Sequence, residues 1–249
     1  MTSHCFAHID RVDQTDSTND DLVEIARTDP DTPRVLIADE QLAGRGRRDR
    51  TWVMPAGGGL LMSFYVPWRD SETSHIVPTA LGNAAIDAIK QLSCEIHLKW
   101  PNDIVAGDDR KVGGMLSSAV LVDGELVGVV AGLGINVSWP TEPVEELPDA
   151  VALNSLIDEP ADRDALANAI IEGFDIVLST AQTYGVVPIH DRYRRHCRTL
   201  GSTVRIDRGD GELVGTATDI DPSGALVVDV DGHAHRVEVG DVHHLRPAD

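Results

Sequence analysis

The segment GRGRRDR at positions 44–50 concentrates positive charge in a loop that also contains two glycines. Guanidinium groups match the oxygens of carboxylates and phosphates, often through two parallel hydrogen bonds. Glycines let backbone N–H groups approach a ligand closely. The charged residues are Arg45, Arg47, Arg48 and Arg50, with Asp49 as the only acid among them. Because the chain is acidic elsewhere, this cluster favours an anion-binding site over a solvated surface loop.

A second segment, HLKWPNDIVAGDDRKVGGM at positions 97–115, contains two of the three lysines of the chain. Arginine supplies nearly all other bases, so a lysine at position 111 suggests that a compact point charge is needed there. Two short strands joined by a turn at 107–109 would place Asp103 and Lys111 on adjacent strands. The structural alternative is a β-hairpin with a polar turn and a half-buried Trp100.

Alternating glycines mark a third segment, AGLGIN at positions 131–136, within a strand of otherwise branched apolar residues. They leave space either for a ligand or for close packing within the sheet, and composition favours neither. Val137 occupies the third glycine position of the dinucleotide-binding pattern, so that fingerprint fails. The chain also has no Gly-Lys pair and therefore no Walker A loop.

The charge balance excludes several classes of partner. The 249 residues include 41 acids and 21 bases, for a formal net charge of −20 at pH 7. Such a surface repels nucleic acid and anionic membranes, so we expect neither as a partner. Acid-rich, lysine-poor composition is typical of proteins adapted to concentrated salt. Three cysteines without a C-x-x-C pair, and no long apolar run, indicate a reduced, cytoplasmic protein.

Apolar periodicity predicts an α+β protein with a mixed sheet and flanking helices, followed by a small all-β unit. We place the domain boundary so that residues 1–197 form the first domain and 198–249 the second. After Gly201 only short strands with turn signals follow, which favours a small β barrel. The predicted helices cover 17–28, 74–92, 163–183 and 189–197, and the predicted strands of the first domain cover 35–40, 60–66, 95–100, 112–122 and 125–137.

With these residues in view, the chain resembles the biotin protein ligases. The matching motifs are DSTND (16–20), GRGRRDR (44–50), KWPND (99–103), RKVGGM (110–115) and GLGIN (132–136), in the family's order and approximate spacing. One departure is Asp49, where many members have glycine. Since the first motif begins at Asp16, we expect no N-terminal DNA-binding domain. The resemblance implies a catalytic domain like that of class II aminoacyl-tRNA synthetases and a C-terminal SH3-like small β barrel.

The resemblance also implies a two-step reaction. Biotin and ATP, with Mg²⁺, would give biotinyl-5′-AMP and pyrophosphate. A lysine on the biotin carboxyl carrier domain of an acetyl- or propionyl-CoA carboxylase would then attack the mixed anhydride. Mg²⁺ is expected to be held mostly by phosphates and water, with no metal site on the protein. A homodimer is also implied.

The family's site residues transfer to matching positions here. The implied catalytic residues are Lys111, Arg47 and Asp103. The implied biotin-binding residues are Ser17, Thr18, Asn19, Gln41, Arg45, Gly46, Arg47, Lys111 and Gly114. The implied ATP- and adenylate-binding residues are Arg45, Arg47, Arg48, Arg50, Trp52, Lys99, Asn102, Lys111 and Asn136.

Two other functions compete with this interpretation. Lipoate–protein ligases and octanoyltransferases share the catalytic architecture, although their Arg/Gly motif differs from GRGRRDR. A non-catalytic ligand sensor that uses the C-terminal barrel is the second alternative. The presence of Lys111 and of all four arginines in the loop argues against it.

Overall fold

The structure is a computed structural model that describes residues 6–48, 50–139, 149–207, 211–238 and 240–244. Asp49, the position at which the arginine segment departs from the family pattern, lies outside the described residues. None of the described helices is both long enough and apolar enough to span a membrane.

A seven-stranded mixed sheet forms the larger part of the protein, with strand order β1-β2-β3-β7-β6-β5-β4. β1 runs parallel to β2, and the remaining neighbours are antiparallel. The mixed sheet predicted from the sequence is therefore confirmed. The strands are β1 His8–Thr15, β2 Arg34–Gln41, β3 Gly59–Pro67, β4 Ile96–Lys99, β5 Asp103–Ala106, β6 Lys111–Val122 and β7 Glu125–Asn136.

The described residues form four α-helices beside this sheet and a short 3-10 helix at Leu153–Ser155. The α-helices are α1 Thr18–Thr28, α2 Ile76–Lys90, α3 Arg163–Tyr184 and α4 Val187–His196. All four lie within a few residues of the predicted ranges. The Ser17 side chain caps α1 by accepting a hydrogen bond from the backbone N–H of Asp20. Asp20 and Asp21 follow in the first turn, where the positive end of the helix dipole favours acids.

The two faces of the sheet are covered unequally. On one face, α2 and α3 pack over the large core, in which Phe64 and Phe174 meet edge to face at 5.0 Å. On the other face, α1 covers a smaller cluster that includes Leu22 and Tyr65. Because α1 is short, part of this second face is left uncovered beside its N-terminus. That uncovered part contains the candidate site.

The C-terminal unit is a five-stranded antiparallel sheet with strand order β11-β10-β9-β8-β12. The short strands with turns expected after Gly201 are therefore present. They are β8 Thr203–Asp207, β9 Glu212–Ile220, β10 Leu226–Val230, β11 His233–Val237 and β12 Asp241–His244.

Hydrogen bonds connect the C-terminal unit to the end of β4 and to α4. The backbone N–H of Trp100 donates to Thr199 Oγ1 at 3.0 Å, and Trp100 Nε1 donates to the carbonyl oxygen of Gly224 at 2.9 Å. From α4, His190 Nε2 lies 2.8 Å from the carbonyl oxygen of Asp221. These contacts hold the C-terminal sheet next to the segment that contains Lys99 and Asp103.

Candidate functional site

A cavity of about 420 Å³ opens on the face covered by α1. It collects described residues from seven separated segments of the chain, within 17–19, 41–53, 61–63, 99–116, 132–136, 149–150 and 242–243. Every site residue predicted from the sequence lines it except Arg48. The predicted residues that line it are Ser17, Thr18, Asn19, Gln41, Arg45, Gly46, Arg47, Arg50, Trp52, Lys99, Asn102, Asp103, Lys111, Gly114 and Asn136.

One end of the cavity is a network of uncharged polar side chains. Thr18 donates to Gln41 Oε1 from its backbone N–H at 2.8 Å and from its hydroxyl at 2.9 Å. Thr18 Oγ1 lies 2.7 Å from Ser63 Oγ, which donates to Asn19 Oδ1 at 3.1 Å. These mutual bonds fix the amide and hydroxyl orientations, so this end is preorganised for a neutral, hydrogen-bonding ligand group.

Ser63 is a cavity residue that the sequence reasoning missed. It lies in β3, where every other residue from Gly59 to Val66 is glycine, aliphatic, methionine or aromatic, and it is fully buried. A lone hydroxyl in such a strand requires a hydrogen-bond partner. That was the available signal, because the partners come from α1 and are distant in sequence.

The arginine segment folds back on itself and lines the cavity. The backbone N–H of Gly46 donates to the carbonyl oxygen of Arg50 at 2.7 Å, and that of Trp52 donates to Gly44 at 2.8 Å. Arg47 Nη1 donates to Asn102 Oδ1 at 3.4 Å. The segment is therefore in contact with the 99–103 motif.

Two arginines of this segment have partners outside it. Arg45 pairs with both carboxylate oxygens of Asp20, at 2.9 and 3.1 Å, so its acidic partner is on α1. Arg48 Nη2 donates to the carbonyl oxygen of Asp207 at 3.4 Å in the C-terminal unit. Arg48 is not among the described residues that line the cavity. The structure therefore does not bring it to the other predicted nucleotide-binding residues.

Lys111 lines the cavity together with Asp103 and Trp52. Its Nζ lies 2.7 Å from Asp103 Oδ1, and the two residues lie on adjacent strands, as predicted. Nζ also lies 5.4 Å from the centroid of the Trp52 ring. A Cβ at position 114 would lie 3.2 Å from Lys111 Cε and 3.3 Å from the Trp52 ring, so Gly114 provides the space in which they meet.

The backbone of Lys111 is held independently of its side chain. Its N–H donates to the carbonyl oxygen of Asp149 at 2.7 Å, and its carbonyl oxygen accepts from the N–H of Val151 at 2.9 Å. Asn136 Nδ2 donates to that same carbonyl oxygen at 3.1 Å and to the carbonyl oxygen of Val151 at 3.3 Å. Asn136 therefore lines the cavity, but its amide nitrogen positions Lys111.

The glycines of β7 allow close packing by two motif side chains. A Cβ at position 132 would lie 2.6 Å from Asn19 Oδ1, and one at position 134 would lie 2.6 Å from the Trp52 ring. Of the two explanations that composition left open, the structure shows close packing against the protein's own side chains, and Gly132 and Gly134 also line the cavity. The buried Trp52 Nε1 has no hydrogen-bond partner among the described residues, so a donor remains for a ligand.

The cavity is electropositive although the protein as a whole is strongly acidic. Five bases and three acids line it among the described residues, an excess of two positive charges in a chain of net charge −20. The bases are Arg45, Arg47, Arg50, Lys99 and Lys111, and the acids are Asp103, Asp109 and Asp149. A partly enclosed wall with this balance attracts anions and stabilises negative charge that develops there.

Comparison with known proteins identifies the family of this chain. Residues 11–136 match the biotin/lipoate A/B protein ligase family, and residues 199–245 match the C-terminal domain of biotin protein ligases. The biotin--[acetyl-CoA-carboxylase] ligase of Mycobacterium tuberculosis is 35% identical over 96% of this chain and 89% of that protein. The chain belongs to the biotin/lipoate A/B protein ligase family. Both segments that match these family models contribute residues to the cavity.

More distant members of the family are also similar over nearly the whole of this chain. The bifunctional ligase/repressor BirA of Bacillus subtilis is 26% identical over 97% of this chain and 74% of its own length. The solved structure of the biotin protein ligase from Aquifex aeolicus in complex with biotin and ATP superposes with a TM-score of 0.80. It covers 97% of this chain and 100% of that one at 24% identity, which supports the fold.

Proposed function

We propose that this protein is a biotin–[acetyl-CoA-carboxylase] ligase. It activates biotin with ATP to biotinyl-5′-AMP and pyrophosphate, and it transfers the biotinyl group to a lysine of a biotin carboxyl carrier domain. The observation that carries this proposal is the convergence of five motif segments on one cavity with a neutral polar part and a cluster of positive charges. Family membership and the ligase named as the Mycobacterium tuberculosis relative support the same reaction.

The uncharged end of the cavity suits the ureido head of biotin. A ureido group offers one carbonyl acceptor and two N–H donors, which hydroxyl and amide side chains can satisfy. We assign Ser17, Thr18, Asn19 and Gln41 to this role. The hydrogen bonds of Thr18 to Gln41 and of Ser63 to Asn19 reduce the entropy that binding would otherwise cost.

The cluster of positive charges suits the first half-reaction, in which the biotin carboxylate must attack the α-phosphate of ATP. Two anions repel each other, so the site must supply positive charge where they meet. Lys111 and Arg47 provide that charge, while Arg45 and Gly46 lie along the carboxylate and phosphates. Gly114 allows the Lys111 side chain to reach this position.

Asp103 acts on the acceptor lysine in the second half-reaction. Its Oδ1 forms an ion pair with Lys111 Nζ at 2.7 Å, so the Asp103 carboxylate is fixed in the cavity. A fixed carboxylate orients an incoming ammonium group and can receive its proton as the amine attacks the anhydride.

The nucleotide occupies the side of the cavity formed by the 99–103 motif, the arginine segment and the end of β7. We assign Arg50, Trp52, Lys99, Asn102 and Asn136 to it, together with Arg45, Arg47 and Lys111. The unpartnered Trp52 Nε1 supports a polar ligand group on this side. A role for Arg48 requires the arginine segment to move, since its side chain now contacts Asp207.

Mg²⁺ would arrive with ATP and shield the triphosphate during adenylation. Among the described residues, no three His, Cys, Asp or Glu side chains are grouped to hold a metal ion. This arrangement suits an ion carried mainly by phosphate oxygens and water, with the protein supplying arginine and lysine charges around it.

Several finer features follow from the same proposal. Residues 1–197 form a catalytic domain like that of class II aminoacyl-tRNA synthetases, and 198–249 form an SH3-like small β barrel built from the C-terminal sheet. The carrier domain belongs to an acetyl- or propionyl-CoA carboxylase. The protein acts in the cytoplasm without a nucleic-acid partner, and a homodimer is its proposed assembly.

The decisive experiment compares biotin with lipoate. The purified protein, ATP and Mg²⁺ are incubated with either acid, and pyrophosphate release is measured. A biotin carrier domain is then added and probed with streptavidin. We expect release and labelling with biotin alone. Release only with lipoate would support a lipoate ligase, whereas biotin binding without pyrophosphate release would support a ligand sensor.

A further inference from the structure

The turn between β5 and β6 carries an acid that the proposed reaction does not use. Asp109 has a φ of +71°, a left-handed conformation that Asp and Asn tolerate better than other side chains with a Cβ. Its backbone N–H donates to the carbonyl oxygen of Ala106 at 3.0 Å. The turn joins the strands that bear Asp103 and Lys111, so its position affects how these two residues face each other.

The Asp109 carboxylate reaches the segment that leads into the C-terminal unit. Arg198 Nε lies 2.9 Å from Asp109 Oδ1, and the backbone N–H of Arg198 donates to the carbonyl oxygen of Leu98 at 2.8 Å. Arg198 is therefore anchored through its backbone beside β4. Its guanidinium is not aligned for a hydrogen bond to Asp109 Oδ1, so it holds the turn through an ion pair. Asp109 is 27% exposed, which makes this pair less screened by water than a typical surface ion pair.

His244 of β12 approaches the same carboxylate. Its Nδ1 lies 3.6 Å from Asp109 Oδ2, and its Nε2 lies 3.2 Å from Thr199 Oγ1, which also accepts the backbone N–H of Trp100. Burial and the nearby charge of Lys99 lower the pKa of His244. The imidazole is therefore neutral at pH 7, and Arg198 is the charged partner of Asp109.

The C-terminal unit also forms part of the cavity wall. Val242 and His243, the two residues before His244, line the cavity together with Asp109 and Lys111. The lysine backbone is fixed on its other side by Asp149 and Val151. The strand that starts at Lys111 is thus held from two directions, one of which passes through Asp109.

We propose that Asp109 is a positioning residue for the adenylation step. By pairing with Arg198, it fixes the β5–β6 turn to the segment that leads into the C-terminal unit and so sets the distance between Lys111 and the reacting carboxylate and phosphate. The pair therefore contributes to the first half-reaction without contacting the reacting atoms. This inference rests on the proposed ligase activity.

The test uses the full-length protein and a matched control in the same turn. Asp109→Asn removes the ion pair and keeps the backbone conformation. Asp108→Asn removes an exposed carboxylate that pairs with Arg110, two residues along the chain. We expect Asp109→Asn to lower kcat for biotin-dependent pyrophosphate release about tenfold, because small displacements of positioned groups have effects of that order. The Kd for biotin should change less than about threefold, since the polar end of the cavity is untouched. The Asp108→Asn variant should behave as wild type in both measurements.

A second set of variants identifies the partner. Arg198→Gln should lower kcat as much as Asp109→Asn does, the double variant should be no slower than either single variant, and Arg198→Lys should recover part of the rate. Equal kcat in the Asp109→Asn and Asp108→Asn variants would overturn the inference. So would additive effects in the double variant, or a loss of biotin binding and melting temperature in proportion to kcat. Pyrophosphate release by the wild-type protein is measured first, so failure of the proposed function is recognised separately.

Discussion

Removing the Lys111 charge should slow adenylation far more than it disturbs the fold. At about 4 Å and an effective dielectric constant of about 20, one unit charge stabilises another by about 4 kcal/mol. The Lys111 side chain is 37% exposed and shares its charge with Asp103, so the effective contribution is smaller. Loss of one major electrostatic stabiliser typically costs about 2.7 kcal/mol, or about 100-fold in rate. We therefore expect Lys111→Ala to reduce biotinyl-AMP formation by about 100-fold.

The assay separates the two half-reactions and uses the third lysine as its control. Pyrophosphate release reports adenylation, and labelling of a carrier domain by pre-made biotinyl-AMP reports transfer. In the Lys111→Ala variant, the rate of transfer should fall less than the rate of adenylation, because the phosphate–carboxylate repulsion has already been overcome in the pre-made substrate. Lys90 ends α2, is exposed and contacts His196, so Lys90→Ala should leave both rates unchanged. Near-normal pyrophosphate release by the Lys111→Ala variant would refute the assignment.

Three further predictions concern retention of the intermediate, salt and acid. The Arg47→Gly variant should release biotinyl-AMP into solution, so that an unrelated lysine-rich protein becomes labelled on streptavidin blots. The wild-type protein should make the same adenylate and leave that protein unlabelled. The melting temperature should rise from dilute buffer to molar KCl, because screening reduces the self-repulsion of a net charge of −20, and a flat curve would exclude salt adaptation. Burial raises the pKa of Asp221, but hydrogen bonds from Ser223 and Arg236 outweigh it and hold the pKa at about 2, so Asp221→Asn should cost about 1–2 kcal/mol at pH 7 in urea unfolding. That difference from wild type should shrink as the pH falls from about 4 towards 2, and a constant difference would contradict the ion-pair explanation.

Local patterns predicted the parts of the site that depend on neighbouring elements. The placement of Asp103 and Lys111 on adjacent strands followed from two strands and the turn between them. Their ion pair did not follow from strand register, because Asp103 lies opposite Gly114 and Lys111 lies opposite Val105. The mixed sheet and the four helices followed from apolar periodicity. β1 was not predicted, because His8–Thr15 is exposed along nearly its whole length and shows no apolar alternation.

Other features of the site depend on contacts between segments that are distant in sequence, and local patterns did not predict them. The glycines of β7 favoured a ligand and close packing equally, until the structure placed Asn19 and Trp52 against positions 132 and 134. Ser63 entered the site only because α1 crosses β3 at that position. Arg48 was grouped with its neighbours by sequence proximity, yet its side chain points to the C-terminal unit. Such outcomes depend on how elements pack, which local sequence does not determine.

The ion pair between Lys111 and Asp103 has a consequence for chemical selectivity. A ligase of this kind generates an acylating agent that modifies primary amines, and its own most central side chain is a primary amine. As the donor to a carboxylate 2.7 Å away, the Lys111 ammonium presents protons rather than a lone pair, and so it does not compete with the acceptor as a nucleophile. The same contact that positions the charge thus protects the enzyme from labelling itself, and a chain with only three lysines offers few other targets.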